Sequence, residues 1–567
     1  MKNTLALAAL GVVIFVALAA TSAVQKSATV DEYAHLAVGL YACNTGDFGL
    51  YGKTPPVGRM LATSPALLFR PAVPTDLSRL RGEAWLPWTY ATWFQLENRD
   101  DYDRLLRVAR QSVILMGAVI CLLVFFASRS CYGDLGGLIS LAAAVLSPTL
   151  LAHSQLVTTD VPAALFCFIF LLLALHYIRA PRPITLVLMT LAAAGAALSK
   201  FSLLFLVPFL ALAPLGAYLW RRRLERRKEE SGPPVPGGLA FAHLVVIAII
   251  FWFAIFAGYM GKHVGPYPEP LRSKSLAAVE TLVKLTPLPR EFVRGLDLQL
   301  ADAEHGEWRS GSYLLGHWYA GGHWYYYLVA LAAKEPVPYL LAGLAALFLI
   351  LRRPRFDEVA LLCFAALYFF TASVFGSLQI GIRYLLPIYP IGFLLLGRLG
   401  EYASAKSPAS AQWRRSAALM LAVAGVWALG VNIRIWPDYL AYFSPVVGGP
   451  DRGRNVLLDS NLDWGQDLPG LARWMRDHQV NTIDLAYFGH DNPRRFGINF
   501  SLPARNSGNR YLAISANFLM GRDYPMTFVS EPLTKQDPLW IVAASYRDKK
   551  PAAIIGHSIY IFDQGGP

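Results

Sequence analysis

Long apolar runs separated by polar stretches dominate the chain. They fall at 4–24, 110–128, 135–152, 161–178, 184–199, 202–220, 239–259, 325–351, 357–376, 384–398 and 415–433, and most are long enough to span a bilayer as helices. The pattern predicts a polytopic α-helical membrane protein with about eleven transmembrane helices. Two runs are irregular. The run at 325–351 is interrupted by Lys334-Glu335-Pro336, where proline removes a helical N–H donor and places the true start nearer Val337. The run at 184–199 is short, as a tilted or broken span would be.

The polar stretches between the runs give the chain two sides. With the N-terminus placed in the cytoplasm, Arg179-Ala180-Pro181-Arg182, the basic segment Arg221 to Lys228, Arg352-Arg353-Pro354-Arg355 and Trp413-Arg414-Arg415 all fall on the cytoplasmic side. A miscounted span would scatter them over both sides. The opposite side then receives residues 25–109, about 260–324 and 434–567. The last piece has no membrane-length apolar run. It carries a helical candidate at Leu468 to Arg476 and β-like runs at Thr482 to Phe488, Tyr511 to Ser515 and Ala553 to Ile555, which predict a small extracytoplasmic α/β domain. The expected division is a transmembrane domain at 1–433, with outer loops 25–109 and 260–324, and an extracytoplasmic domain at 434–567.

Met1 to Ala23 has a basic start, an apolar core and small residues at Ala20-Thr21-Ser22-Ala23, which also fits a cleavable signal peptide. A retained first helix is the reading adopted, because cleavage would free the following acidic segment from the bilayer. Composition agrees with a membrane protein: 55% hydrophobic, 16% charged, mean hydropathy +0.39. The net charge of +13 does not imply nucleic acid, because the arginines cluster between apolar runs. Of the five cysteines only Cys43 falls outside, so no disulfide framework is expected, and no Cys or His spacing matches a metal site.

Four polar sets sit at the outer ends of different spans. They are Asp31-Glu32; His153-Ser154-Gln155 leading to Thr159-Asp160-Val161-Pro162; Ser199-Lys200-Phe201; and Arg383-Tyr384 before Pro387. Asp160 or Thr159 could equally cap a helix, and Lys200 could simply snorkel. Isolated cations and acids at one membrane depth also suit a site where cations hold a phosphate and a carboxylate takes a proton. Lys53 and Arg59, in Lys53-Thr54-Pro55-Pro56-Val57-Gly58-Arg59, are either further phosphate contacts or interfacial anchors. Leu61 to Leu68 could lie in the interface. The aromatics around Trp318 and Trp324-Tyr325-Tyr326 are either a membrane belt or a sugar surface. The segment Asp459-Ser460-Asn461-Leu462-Asp463-Trp464-Gly465-Gln466 is either a turn preceding a helix or a gating surface.

Taken in order, these stretches resemble the GT-C superfamily of polytopic glycosyltransferases, in particular bacterial glycosyltransferase family 39, the protein O-mannosyltransferase relatives, and the aminoarabinose transferase that modifies lipid A. The resemblance rests on Asp31-Glu32, Lys53-Thr54-Pro55-Pro56, Thr159-Asp160-Val161-Pro162, Leu198-Ser199-Lys200, Ser312-Tyr313-Leu314-Leu315-Gly316, Lys334-Glu335-Pro336, Arg383-Tyr384-Leu385-Leu386-Pro387 and Asp459 to Gln466. It implies a GT-C fold in a bacterial inner membrane and a polyprenyl-phosphate sugar donor. It also implies inverting transfer to a protein, lipid or glycan hydroxyl on the extracytoplasmic face. By the same resemblance Asp31 is the general base, and Glu32 and Asp160 orient substrate or share that role. Lys200 and Arg383 hold the lipid phosphate, with Lys53, Arg59, His153 and Tyr384 as further substrate contacts. No cofactor or metal is implied. The competing reading is a transporter or flippase of lipid-linked sugars. It would place charges through the midplane and show repeat symmetry, neither of which the sequence displays.

Overall fold

The computed structural model describes residues 2–80, 86–226, 237–305, 311–376, 378–404, 410–503, 508–522, 542–543 and 545–565. It begins with α1 (Lys2–Ala23), a short connection, and α2 (Val30–Thr45). Next come α3 (Pro56–Thr63), α4 (Leu86–Glu97) and a 44-residue element, α5 (Tyr102–Val145). The chain continues through α6 (Pro148–Ser154), α7 (Asp160–Arg179), α8 (Pro183–Ser199), α9 (Val207–Arg226) and α10 (Gly237–Gly258). An outer segment holds α11 (Lys274–Ala277), α12 (Glu280–Leu285), α13 (Arg290–His305) and the hairpin β1 (Ser312–Leu314) and β2 (His317–Tyr319). The helices α14 (Tyr326–Lys334), α15 (Val337–Arg352), α16 (Phe356–Phe375), α17 (Tyr389–Ala403) and α18 (Ala411–Ile435) complete the bundle.

Eight helices are long and apolar enough to cross a membrane, or nine if α14 and α15 count as one bent span. The difference from the expected eleven has two physical sources. First, α5 joins two expected spans. It breaks at Gly133, where φ is 79° and ψ −177°, a conformation that a Cβ would oppose. Ser140 Oγ donates to Ser128 Oγ at 2.8 Å, whereas twelve residues of straight helix would separate them by about 18 Å. So α5 is a hairpin of two arms. Second, α8 has only 17 residues. The break expected at Lys334-Glu335-Pro336 is present, and α14 and α15 meet there at 117°.

The hairpin and α17 form the tightest interface of the bundle, through small residues. A Cβ on Gly400 would lie 2.7 Å from the Gly136 backbone, so only glycine permits this approach. α1 contributes the buried Phe15 and Ala19 to the same core.

The bundle has two ends of different chemistry. At one end Thr4 and Arg129 donate to Asp134, Arg179 pairs with Asp357, and Arg355 pairs with Glu401. Of the expected basic clusters, Arg179, Arg355 and, through Trp220 and Phe356, Arg223 belong to this end. At the other end lie the close of α1, the starts of α2, α5 and α7, and the close of α8.

The C-terminal unit is a five-stranded mixed sheet in the order β4 (Phe500–Ser501), β3 (Ile483–Ala486), β5 (Tyr511–Ser515), β7 (Ile559–Asp563), β6 (Ala553–Ile555). β3 runs parallel to β4 and β5, whereas β7 is antiparallel to β5 and β6, with Ala513 opposite Ile561. The amphipathic α19 (Leu468–Asp477) lays Leu468, Leu471 and Met475 against Ile483, Leu485 and Ile559. This small core begins at Leu468. Tyr439 to Phe443 and Leu457 to Trp464 belong to the large core shared with the bundle helices, as do Leu512, Ile514, Tyr560 and Phe562 of the sheet.

Gly400→Val should wedge α17 from the hairpin, because the opposing Gly136 atoms are backbone and cannot rotate away. A loss of about 1–3 kcal/mol is expected for such overpacking. Thermal unfolding of the detergent-solubilised protein reads it, and an unchanged midpoint would show that the helices do not touch so closely.

Candidate active site

Asp31 and Glu32 occupy the first turn of α2 but point to different environments. Glu32 is fully buried. Arg110 of α5 grips it bidentately, Nε to Oε1 and Nη2 to Oε2, each at 2.8 Å. Oε2 also accepts the Thr29 N–H at 3.0 Å, and Oε1 accepts the Val157 N–H at 2.9 Å. Those four contacts fill the acceptor capacity of a carboxylate. Glu32 is therefore a structural anchor, with no lone pair left for a substrate.

Asp31 faces the other way. Its Oδ2 accepts from Arg383 Nη1 at 2.7 Å. Asp160, the first residue of α7, takes Lys200 Nζ on Oδ1 at 2.5 Å, and its Oδ2 lies 3.6 Å from Arg383 Nη1. The four residues from four elements thus form one quartet of two acids and two bases, with Asp160 and Arg383 buried and Asp31 and Lys200 partly exposed. Asp160 caps no helix; Thr159 holds the N-cap position without a side-chain bond. Lys200 does not snorkel to solvent, because it is held by Asp160 and lies 4.2 Å from the centre of the Tyr384 ring. Within the quartet the acids differ in access: the Asp31 side chain is 20% exposed and that of Asp160 only 2%. Asp31 is the carboxylate that an incoming hydroxyl can reach.

Two cation–aromatic contacts frame Arg383. Its guanidinium sits 4.3 Å from the Trp464 ring and 5.4 Å from the Tyr384 ring. Trp464 is held there by a dense set of backbone bonds. Val30 N–H donates to its carbonyl, Ser27 N–H to the Gln466 carbonyl, and Asn461 Oδ1 accepts the Ile382 N–H at 2.9 Å. Lys334, buried at the α14–α15 break, donates to the carbonyls of Leu440 and Asn461 at 2.8 and 2.6 Å. Glu335 accepts from Thr149 Oγ1 and the Tyr389 hydroxyl. The Asp459 to Gln466 segment is therefore neither a plain turn nor a cap for α19. It roofs the quartet.

The remaining candidates are spread around this centre. Arg59 of α3 is fully buried beneath the Tyr51 ring and donates Nη2 to the Tyr51 carbonyl, while its Nε and Nη1 have no partner. His35 stacks on Tyr51 with centroids 5.3 Å apart. His153 is buried with an unpartnered Nδ1. Burial holds its pKa down at about 3; Asp160 opposes the shift, and Arg383, Lys334 and Lys200 reinforce it. His153 is thus a neutral imidazole at neutral pH. Lys53 is drawn to Asp302 of α13 at 2.7 Å. Among the described residues no three of His, Cys, Asp and Glu converge as metal ligands.

Sequence reasoning missed Arg110, Trp464 as a partner of Arg383, and the roofing role of Lys334. Arg110 did carry a signal, an arginine at the first position of an apolar run.

Known proteins show related patterns. Residues 88–258, less than a third of the chain, match the family described as dolichyl-phosphate-mannose-protein mannosyltransferase. The match takes in Asp160 and Lys200, and it is to the family branch that the sequence motifs resemble. The chain is similar to ArnT from Cupriavidus metallidurans in its apo state, at 16% identity and a TM-score of 0.44, over 77% of this chain and 64% of that one. It is similar to the same transferase bound to undecaprenyl phosphate at 12% identity and a TM-score of 0.46, over 99% of each chain. With the oligosaccharyltransferase AglB from Archaeoglobus fulgidus it shares 13% identity and a TM-score of 0.43, over 76% of this chain and 56% of that one. The chain thus spans less than two thirds of the apo transferase and of the archaeal enzyme. No curated protein matches it.

Removing one partner of the Glu32–Arg110 pair strands a buried charge. Arg110→Met should cost about 3–5 kcal/mol, read as a lowered unfolding midpoint or loss of folded protein. Wild-type stability in that variant would mean that Glu32 is not held as described.

Proposed function

We propose that the protein is a membrane glycosyltransferase that moves a sugar from a polyprenyl-phosphate carrier to a hydroxyl acceptor. The single observation that carries this reading is the ion-paired quartet Asp31, Asp160, Lys200 and Arg383 at one end of an apolar helical bundle. A lipid-linked donor must keep its tail in hydrocarbon and bring its phosphate to the bilayer edge. Cations at helix ends meet it there. The match of residues 88–258 to a family named for a lipid-phosphate sugar supports the donor class.

In this reading Arg383 and Lys200 bind the phosphate, which is the leaving group, and offset the charge that develops on it. Asp31 accepts the proton of the acceptor hydroxyl. The hydroxyl oxygen forms its bond to the anomeric carbon as the carbon–oxygen bond to phosphate breaks, and that electron pair leaves on the phosphate. Base and leaving group lie on opposite sides of the carbon, so the configuration inverts. Asp160 holds Lys200 in place, and neutral His153 offers Nδ1 to a substrate polar group. Arg59 adds a positive charge with no carboxylate partner among the described residues. The positive-inside pattern favours the extracytoplasmic face for this end, with the N-terminus cytoplasmic. A bacterial inner membrane, and an acceptor that is protein, lipid or glycan, follow from the family resemblance. A transporter would need polar groups through the midplane. Among the described residues the ion pairs of the bundle gather instead at its two ends.

Asp31→Asn should lower transfer by about 10²–10⁴-fold, the range typical of a lost general base. Binding of the polyprenyl phosphate should persist. The assay is release of polyprenyl phosphate from a sugar-charged carrier by purified protein in lipid, with envelope glycans of a knockout identifying sugar and acceptor by mass spectrometry. Full activity of the variant would overturn the role of Asp31.

A further inference from the structure

We infer that Asp31 and Asp160 also work as a counter-ion latch, competing with the lipid phosphate for Arg383 and Lys200. The inference rests on the lipid-phosphate reading above and goes beyond it. Both cations are already engaged within the protein. Arg383 Nη1 is 2.7 Å from Asp31 and 3.6 Å from Asp160, and Lys200 Nζ is 2.5 Å from Asp160. Two carboxylates and two cations make the quartet formally neutral. A phosphate entering it meets no excess positive charge until those pairs part.

The same pair occupies one oxygen of the base. Asp31 Oδ2 accepts a guanidinium N–H at 2.7 Å and cannot use that lone pair for the proton of a hydroxyl. Asp31 Oδ2 is freed when Arg383 turns towards a phosphate. The geometry allows that turn. Arg383 Nε is buried without a partner, so the guanidinium fork has a donor ready for a phosphate oxygen before its present bond breaks. Trp464 at 4.3 Å and Tyr384 beneath Lys200 at 4.2 Å are neutral faces that keep both cations in place as they leave the acids. Donor binding thus frees the Oδ2 of Asp31 as Arg383 turns.

The latch also works in reverse. The donor is a phosphodiester with one negative charge, whereas the product is a monoester carrying up to two. Transfer therefore raises the negative charge beside the cations and would trap the product. The proton taken by Asp31 leaves to solvent, its charge returns, and both carboxylates reclaim Arg383 and Lys200. Product release is coupled to that deprotonation.

The test is binding of a short-chain polyprenyl phosphate to wild type, Asp160→Asn and Asp31→Asn in detergent, with the uncharged polyprenol as control. Removing a competing carboxylate should tighten phosphate binding by about 10-fold, equivalent to about 1.4 kcal/mol, and leave polyprenol binding unchanged. Unchanged or weaker phosphate binding in a variant with wild-type thermal stability overturns the latch and leaves the glycosyltransferase reading standing. If Asp160→Asn does not fold, the more exposed Asp31→Asn decides by the same criterion. If wild type binds polyprenyl phosphate no better than polyprenol, the lipid-phosphate reading fails, and the latch with it.

Discussion

The ion pair between Glu32 and Arg110 is the constraint on which this end of the molecule depends. Burying two charges is costly unless every polar atom is matched. Here every one is. Arg110 donates its five N–H groups to both Glu32 oxygens and to the carbonyls of Ala23, Lys26 and Ser27. Glu32 adds the N–H groups of Thr29 and Val157. One saturated pair therefore fixes the turn between α1 and α2, the start of α5 and the strand of chain that leads to α7.

That arrangement is what places both acids of the quartet. Asp31 is the helical neighbour of Glu32, so pinning Glu32 inward turns Asp31 about 100° around the helix, towards Arg383. Asp160 lies three residues beyond Val157, whose N–H is bound to Glu32. The two acids thus share one structural support, although 128 residues of chain lie between them. The cations come from the opposite side of the cluster, Lys200 from the end of α8 and Arg383 from the turn that precedes α17.

Much of this was legible in the sequence. Apolar runs located the helices because length and hydropathy are local properties. Helix Leu468–Asp477 and strands β3, β5 and β6 were visible as short periodic segments. The four quartet members stood out because a charge at a helix mouth is costly and conspicuous. Pairing was not legible. Nothing in Asp31-Glu32 says which acid is locked and which is reachable; that depends on Arg110, 78 residues away. The sequence predicts two separate spans where the structure has the single bent element α5; its continuity is not legible, because a single glycine conformation at Gly133 joins the arms.

The roof over the quartet shows why a broken helix is retained beside it. Irregular backbone inside a membrane protein survives where it is satisfied by protein or lines a cavity. At the 117° break between α14 and α15, Lys334 turns its ammonium to the carbonyls of Leu440 and Asn461 and lies 4.4 Å from the Phe443 ring. Glu335 is tied separately to Thr149 and Tyr389, so the two adjacent side chains are held by different hydrogen-bond partners. Lysine there clasps two short 3-10 turns, Tyr439–Ala441 and Asp459–Asn461. It holds Asn461, Asn461 holds the Ile382 N–H, and the next residue is Arg383. The break, the roof and Arg383 are one chain of contacts, which ties the geometry of a cation in the quartet to the bend between α14 and α15.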